Sequence, residues 1–373
     1  MKKLLSIAAM AAMSVSMFTA CSDDDNQTPN PTPVTVTEGL YVVNSGNMSS
    51  NIPGSLTYIG NDGNVVQNAF KTANGTELGD TPNDALVYGS KLYVVASGSN
   101  VVWVVDRNSL KEIKMISTTE LMGDDKGKNP RRLAAAGNNV YVSTFDGYVA
   151  AVDTTDYTMA DCYQAGSYPE GMAVGNGKLY VANSDYGQGV NPSISEIDLN
   201  TGETTDRKDN LIMNPTSIVA TGDALYVLDY GRYDANWNQT DAGVRKIQNG
   251  EVSIVADATL MAVDTQRGLI YTVNAPYSYP AIPVTYGVYD ITTGQTTTFI
   301  EGKDIDSPAA IAVDPVTGDV FISSYRMNPD TGYADYFTYG YVNRYRADGT
   351  FVATYDTGVG PTAFAFNYYT TNE

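Results

Sequence analysis

Apolar residues along this chain fall into short runs separated by polar turns, and one kind of run recurs with an aromatic residue between two aliphatic or β-branched ones. It appears as Leu40-Tyr41-Val42, Leu92-Tyr93-Val94, Val140-Tyr141-Val142, Leu179-Tyr180-Val181, Leu225-Tyr226-Val227, Ile270-Tyr271-Thr272 and Val320-Phe321-Ile322. The copies stand about 39 to 52 residues apart, which is the range of β-propeller blades. Six of the seven follow another short run that usually opens with proline: Pro82 to Val87, Pro130 to Ala135, Pro169 to Val174, Pro215 to Val219, Ala258 to Val263 (the one without proline) and Pro308 to Val313. The first copy has no such predecessor, whereas the chain ends with an orphan run, Pro361-Thr362-Ala363-Phe364-Ala365-Phe366. The two ends complete each other, which predicts a closed ring.

Each unit reads as four strands. The proline run is innermost, where small residues suit a narrow axis and a proline at the first position forfeits no ladder hydrogen bond. The aromatic run comes second and is apolar on both faces, because stacked blades leave neither face in water. A third strand such as Val101 to Asp106 follows. The polar outermost strand comes after a turn such as Asn61-Asp62-Gly63 or Asn249-Gly250, whose residues tolerate the positive φ of tight hairpins. The expected fold is all-β: a seven-bladed β-propeller of four-stranded blades over residues 39–373. Its last blade is closed by the N- and C-terminal strands, so no blade interface is left open.

The loops between second and third strands break the regularity. Two are short, Ser97 to Asn100 and Phe145 to Gly147, but the others run from Asn44 to Gly54, Asn183 to Pro192, Asp229 to Ala242, Asn274 to Thr285 and Ser324 to Gly340. Insertions confined to one face of a repeat ring mark its binding face. They carry Tyr186, Tyr230, Tyr233, Trp237, Tyr277, Tyr279, Tyr286, Tyr325, Tyr333, Tyr336, Phe337 and Tyr339. Loop tips are ordinarily small and polar, while Tyr and Trp offer large contact area with a polar handle at low rotamer cost. Such a face suits a bulky amphipathic ligand or a protein surface.

The innermost strands start on this same face, so the residues after each proline ring the channel mouth: Asn83, Arg131, Arg132, Glu170, Thr216, Thr259, Ala309 and Thr362. Arg131-Arg132 stands out in a chain with 22 basic residues, and can hold a phosphate, carboxylate or amide oxygen or else pair internally with Glu170 or Asp84. A second ring lies three residues past each central aromatic and includes Asn44, Asn183, Asp229 and Asn274, which either cap turns or reach a ligand.

Composition narrows the chemistry. With no histidine, neither a Ser-His-Asp nor a Cys-His system nor a histidine metal site can be built, so no catalytic residue and no metal site is assigned and no cofactor is required. The protein reads as a binding protein and not an enzyme. The chain opens with Lys2 and Lys3, an apolar stretch from Leu4 to Phe18, and Phe18-Thr19-Ala20-Cys21, which together resemble a lipoprotein signal peptide over residues 1–20 with Cys21 as the lipidated residue. The acidic run Ser22 to Asn26 resembles a surface-export signal, and a Pro/Thr/Asn tether follows, so that residues 21–38 join lipid to propeller. Loss of the leader leaves 20 basic residues against 42 acidic ones, a balance that excludes nucleic acid and a bare anionic membrane as partners. Contact with a membrane is then only through the lipid anchor.

The proline strand followed by φ-Tyr-Val-x-Asn-Ser/Tyr resembles YncE-like seven-bladed propellers over essentially residues 39–366. With the lipobox and acidic leader, the chain is similar to the surface lipoproteins of Bacteroidetes typified by BtuG. That resemblance implies a cell-surface, outer-membrane lipoprotein that captures cobalamin (vitamin B12) and passes it to a TonB-dependent outer-membrane transporter. The tyrosine-rich loops and the Arg131-Arg132 mouth would then form the corrin-binding face. Two other classes fit the same chain: a propeller that binds a glycan or partner protein within an uptake complex, and a metal-dependent lactonase- or lyase-like enzyme using channel-mouth carboxylates.

Overall fold

A computed structural model describes residues 33–301 and 305–372. The leader, Cys21 and the acidic run lie outside the described residues.

Seven four-stranded antiparallel sheets form the ring. Six are built from consecutive chain segments, beginning with Pro82–Tyr88, Lys91–Ala96, Val101–Asp106 and Glu112–Ser117 from the axis outwards. The seventh orders Pro361–Asn372, Pro33–Asn44, Ser55–Gly60 and Val65–Val66, so its innermost strand comes from the C-terminus. Pairing runs from Gly39↔Asn367 to Asn44↔Pro361 and continues beyond the blade from Pro33↔Asn372 to Thr37↔Tyr368. The tether expected up to residue 38 is therefore strand from Pro33 onward. Its alternating Val34-Thr35-Val36-Thr37 finds backbone partners in the C-terminal strand, which is longer than a blade requires.

The core lies in the seams between blades. Tyr93 and Val95 of one blade, for example, pack with Val140 and Val142 of the next. The central aromatics Tyr41, Tyr93, Tyr226 and Tyr271 are fully buried, each removing a large apolar surface from water. Their hydroxyls are treated unequally. That of Tyr41 donates to the Arg107 carbonyl, whereas those of Tyr93, Tyr226 and Tyr271 have no partner. Burial pushes the Tyr226 phenol up to about 12. Tyr286, which the sequence suggests as a loop aromatic, is also core: it sits in Thr285–Asp290 and packs with Tyr271, Phe299 and Tyr345.

Six of the seven innermost strands break register with their neighbours at the residues that follow the strand's start. The shifts fall between Pro82 and Asp84, Pro130 and Leu133, Pro169 and Met172, Pro215 and Ser217, Pro308 and Ala310, and on the closing blade between Pro361 and Ala363. A bulge leaves its extra residue unpaired and re-aims its side chain. Here it frees Asn83, Arg131 with Arg132, Glu170, Thr216, Ala309 and Thr362, the residues expected around the mouth.

Candidate ligand-binding face

Residues of all seven innermost strands enclose a channel cavity of about 270 Å³. Leu133, Met172, Ile218, Met261, Ile311 and Phe364 contribute to its wall, polar atoms make up most of the surface that faces the space, and it carries one charged sector, Asp84 and Arg132. Thr216, Tyr230 and Thr362 line the same space.

The two arginines have different fates. The Arg131 Nε donates to Glu170 Oε2 and its Nη2 to Oε1, both at 3.1 Å, a bidentate pair between neighbouring blades. Its guanidinium also stacks 4.3 Å from the Phe145 ring centroid. With the Asn83 amide oriented oxygen-first, Asn83 accepts a further bond from Arg131 and donates to the Thr81 carbonyl at 3.1 Å. Arg131, Glu170 and Asn83 thus satisfy one another, and of the two outcomes open in the sequence the internal pair is the one adopted. Glu170 is buried, with each carboxylate oxygen engaged by Arg131. Arg132 points to the channel instead: its Nη1 donates to the Asn83 carbonyl at 2.7 Å and lies 3.9 Å from Asp84 Oδ1. Asp84 Oδ2 accepts from the Leu133 backbone N–H at 2.8 Å. Burial nevertheless raises its pKa, against the pull of Arg132 and two backbone N–H groups.

Around this mouth the long loops build an aromatic wall. Phe145, Tyr168 and Tyr186 meet at centroid distances of 5.2, 5.9 and 5.2 Å beside Arg131. Tyr168 precedes Pro169 with φ +53°, as Thr81 and Asn129 precede their prolines at +50°. The position is legible by aligning the repeats, but the ring contact it makes is not. Tyr230 is 37% exposed, yet desolvation raises its phenol's pKa, with Arg132, Glu170, Tyr233 and Arg131 all acting on it. It lines the channel together with Arg132.

The next two loops brace each other. Arg232–Tyr233 and Gln239–Thr240 form a small ribbon that presents Tyr233 and Trp237, ring centroids 6.4 Å apart. The Gln239 N–H donates to the Tyr277 carbonyl at 2.7 Å, and the Tyr279 N–H donates to Asn238 Oδ1 at 2.8 Å. These bonds hold Trp237 73% and Tyr279 83% exposed, with Tyr277 alongside. Further round, Tyr325 meets Tyr336 edge to face at 4.8 Å within its own loop, while Tyr333, Tyr336, Phe337 and Tyr339 remain exposed. Single exposed apolar residues need no explanation, but a contiguous set on one face does.

The second ring of asparagines is structural. Asn183 is fully buried and donates to Ser193 Oγ at 3.0 Å and Ser195 Oγ at 2.8 Å beneath its loop, so it does not face a ligand. Asn274 closes Leu269–Asn274 opposite Thr285 and is absent from the channel lining. Asp229 accepts from the Met213, Asn214 and Gly231 backbone N–H groups. Asn183 and Asp229 tie inter-blade connections and loops to the blade.

Arg245 is the functional residue that sequence reasoning missed. It is fully buried, and its Nε donates to the Leu211 carbonyl at 2.8 Å and its Nη2 to the Asp241 carbonyl. It anchors the end of the loop that carries Tyr230, Tyr233 and Trp237. The signal available was its place in the repeat: opposite the residue after the central aromatic, the other six blades hold Thr57, Trp103, Ala150, Ser195, Gly287 and Asn343, and Arg245 is the only base in that register. Among the described residues, no group of three or more Asp, Glu, Cys or His converges to hold a metal.

A family model described as "Domain of unknown function (DUF5074)" matches residues 38–366. The chain belongs to the DUF5074 family. No curated protein sequence matches it. Among solved structures it is similar to the hydrazine synthase of Kuenenia stuttgartiensis, with a TM-score of 0.59 and 15% identity over 78% of this chain and 95% of that one. The computationally designed Ika8 protein aligns with a TM-score of 0.49 and 12% identity over 76% of this chain and 89% of that one. At these identities the first likeness speaks for the propeller fold of this DUF5074 member and not for its ligand.

Proposed function

We propose that this protein is a cell-surface binding lipoprotein that captures a bulky small molecule, best matched by cobalamin or a related corrinoid, and passes it to a TonB-dependent outer-membrane transporter. One observation carries the reading: exposed Tyr and Trp side chains are gathered on the loops of one face, around a mouth that holds Arg132 and Tyr230. A corrin is broad, amide-fringed and partly apolar, so tyrosine walls with a few donors suit it. The ligand's body rests on the aromatic wall because a cavity of about 270 Å³ is too small to swallow it. The resemblance to Bacteroidetes surface lipoproteins, together with the lipobox at Cys21, supplies the cellular setting of this proposal.

Calorimetric titration of the purified protein with cyanocobalamin tests it. Saturable heat at micromolar protein supports the reading; absence of heat, with no competition by other corrinoids, removes it. A second reading, docking of a glycan or partner protein, draws on the spread of exposed aromatics out to Tyr279, Phe337 and Tyr339, beyond the channel lining. Co-purification of a transporter without small ligand would favour it.

A further inference from the structure

We propose that the channel mouth binds a singly charged oxyanion, carried as a projecting arm of a larger ligand, and that Arg132 recognises it. The inference rests on the mouth being the ligand site proposed above, but not on the ligand being a corrinoid.

Arg131 and Arg132 are adjacent in sequence but not equivalent in bonding. Each guanidinium nitrogen of Arg131 is engaged, by Glu170 or Asn83, and its plane lies over the Phe145 ring. Arg132 makes one short side-chain hydrogen bond, from Nη1, and among the described residues its Nε and Nη2 donate to no acceptor. A guanidinium offers five donors in a planar fork that matches two oxygens of a phosphate or carboxylate. Unused donors on a side chain that lines a cavity are where such a ligand would dock. Thr216, Tyr230 and Thr362 line the same space, and the Thr362 hydroxyl oxygen is buried without a partner among the described residues.

Size selects an arm and not a whole ligand. About 270 Å³ accommodates a tetrahedral oxyanion readily, yet falls below the roughly 300–1,000 Å³ of whole-ligand pockets. Charge selects a monoanion. The charged and titratable groups that face Arg132 are Asp84, Arg131, Glu170 and Tyr230. Arg131 and Glu170 cancel, which leaves Asp84 as the opposing charge. Burial raises the pKa of Asp84, which balances Arg132 when ionised and leaves it uncompensated when protonated. A dianion would bring two charges to one free cation, Arg132, with Asp84 beside it. For an anion of constant charge, affinity should rise as pH falls through the raised pKa of Asp84, because protonation there leaves Arg132 uncompensated.

Phosphorus NMR line broadening on the purified protein separates these statements. Dimethyl phosphate, a monoanion, should bind saturably in the millimolar range. Inorganic phosphate at pH 8 should bind at least about threefold more weakly, and neutral trimethyl phosphate not at all. Arg132→Gln should weaken dimethyl phosphate about tenfold, whereas Lys71→Gln, at an exposed pair with Glu77, should leave it unchanged. Should the glutamine variant not fold, Arg132→Lys keeps the charge without the fork and should still bind about threefold more weakly. Absence of saturable broadening in the wild type, or wild-type binding in the Arg132 variant that folds, overturns the inference. Cyanocobalamin bound equally by wild type and the Arg132 variant would also overturn it while leaving the corrinoid reading intact. Dimethyl phosphate binding without cyanocobalamin heat would do the reverse.

Discussion

The face of the ring has a low sector and a high one. In the low sector, the loops Ser97 to Asn100 and Phe145 to Gly147 are short, and recognition groups come from the bulged starts of innermost strands: Asn83, Asp84, Arg131 and Arg132. In the high sector, from Asn183 to Gly340, the loops are long and present Tyr233, Trp237, Tyr277 and Tyr279. The difference teaches how a rigid repeat fold divides its work. Charged groups need fixed geometry and sit on innermost strands, each hydrogen-bonded to the second strand of its blade. Large aromatic surfaces can ride on loops, provided something braces those loops from below, and Arg245 does this for the fifth blade in chain order.

Breaking the brace should have the largest effect. Arg245→Ala strands the Leu211 and Asp241 carbonyls and opens a cavity, so we expect a loss of about 3 kcal/mol in urea unfolding. Trp237 is exposed and the other tryptophan, Trp103, is buried, so a change in acrylamide quenching would locate the disorder in the high sector. Unchanged stability would show that the loop supports itself. Next, Glu170→Gln removes the bidentate partner of Arg131 and should cost about 2 kcal/mol. It also frees a second cation at the mouth, so dianions should now compete with monoanions in the phosphorus titration. Retained preference for the monoanion would mean that the low sector is not tuned by that pair.

Truncating the high sector tests its division from the low one. Trp237→Ala and Tyr279→Ser should each weaken capture of the bulky ligand about tenfold by calorimetry, with unfolding midpoints unchanged because both side chains are exposed. A fall in stability with no change in affinity would assign them to loop packing. The smallest effect belongs to the seams that both sectors share. Tyr226→Phe deletes a buried hydroxyl with no partner and should stabilise the fold by up to about 1 kcal/mol. Destabilisation would mean that the hydroxyl is satisfied by water.

Much of this molecule was legible from the chain. The blade count, the closing of the ring by Pro361–Asn372 on Pro33–Asn44 and the side bearing the long loops all follow from repeat spacing, since each blade contacts chiefly its neighbours. The reading stumbled where a residue's role depends on its register or on its burial. Tyr286 stands beside a loop in sequence but faces the core, and Asn183 ends a strand under its loop and not at the ligand surface. The extra pairing of Val34 to Thr37 depended on how far the C-terminal strand runs.

Periodicity thus determined the propeller by itself, because alternating runs and turn residues act over a few neighbours and repeat. Only the tertiary structure decided that Arg131 closes on Glu170, 39 residues away, while Arg132 reaches the Asn83 carbonyl, 49 residues back, and opens to the channel. Bulges set the direction in which each side chain leaves its strand, and ring geometry sets which blade it meets. Neither is written in the spacing of apolar positions.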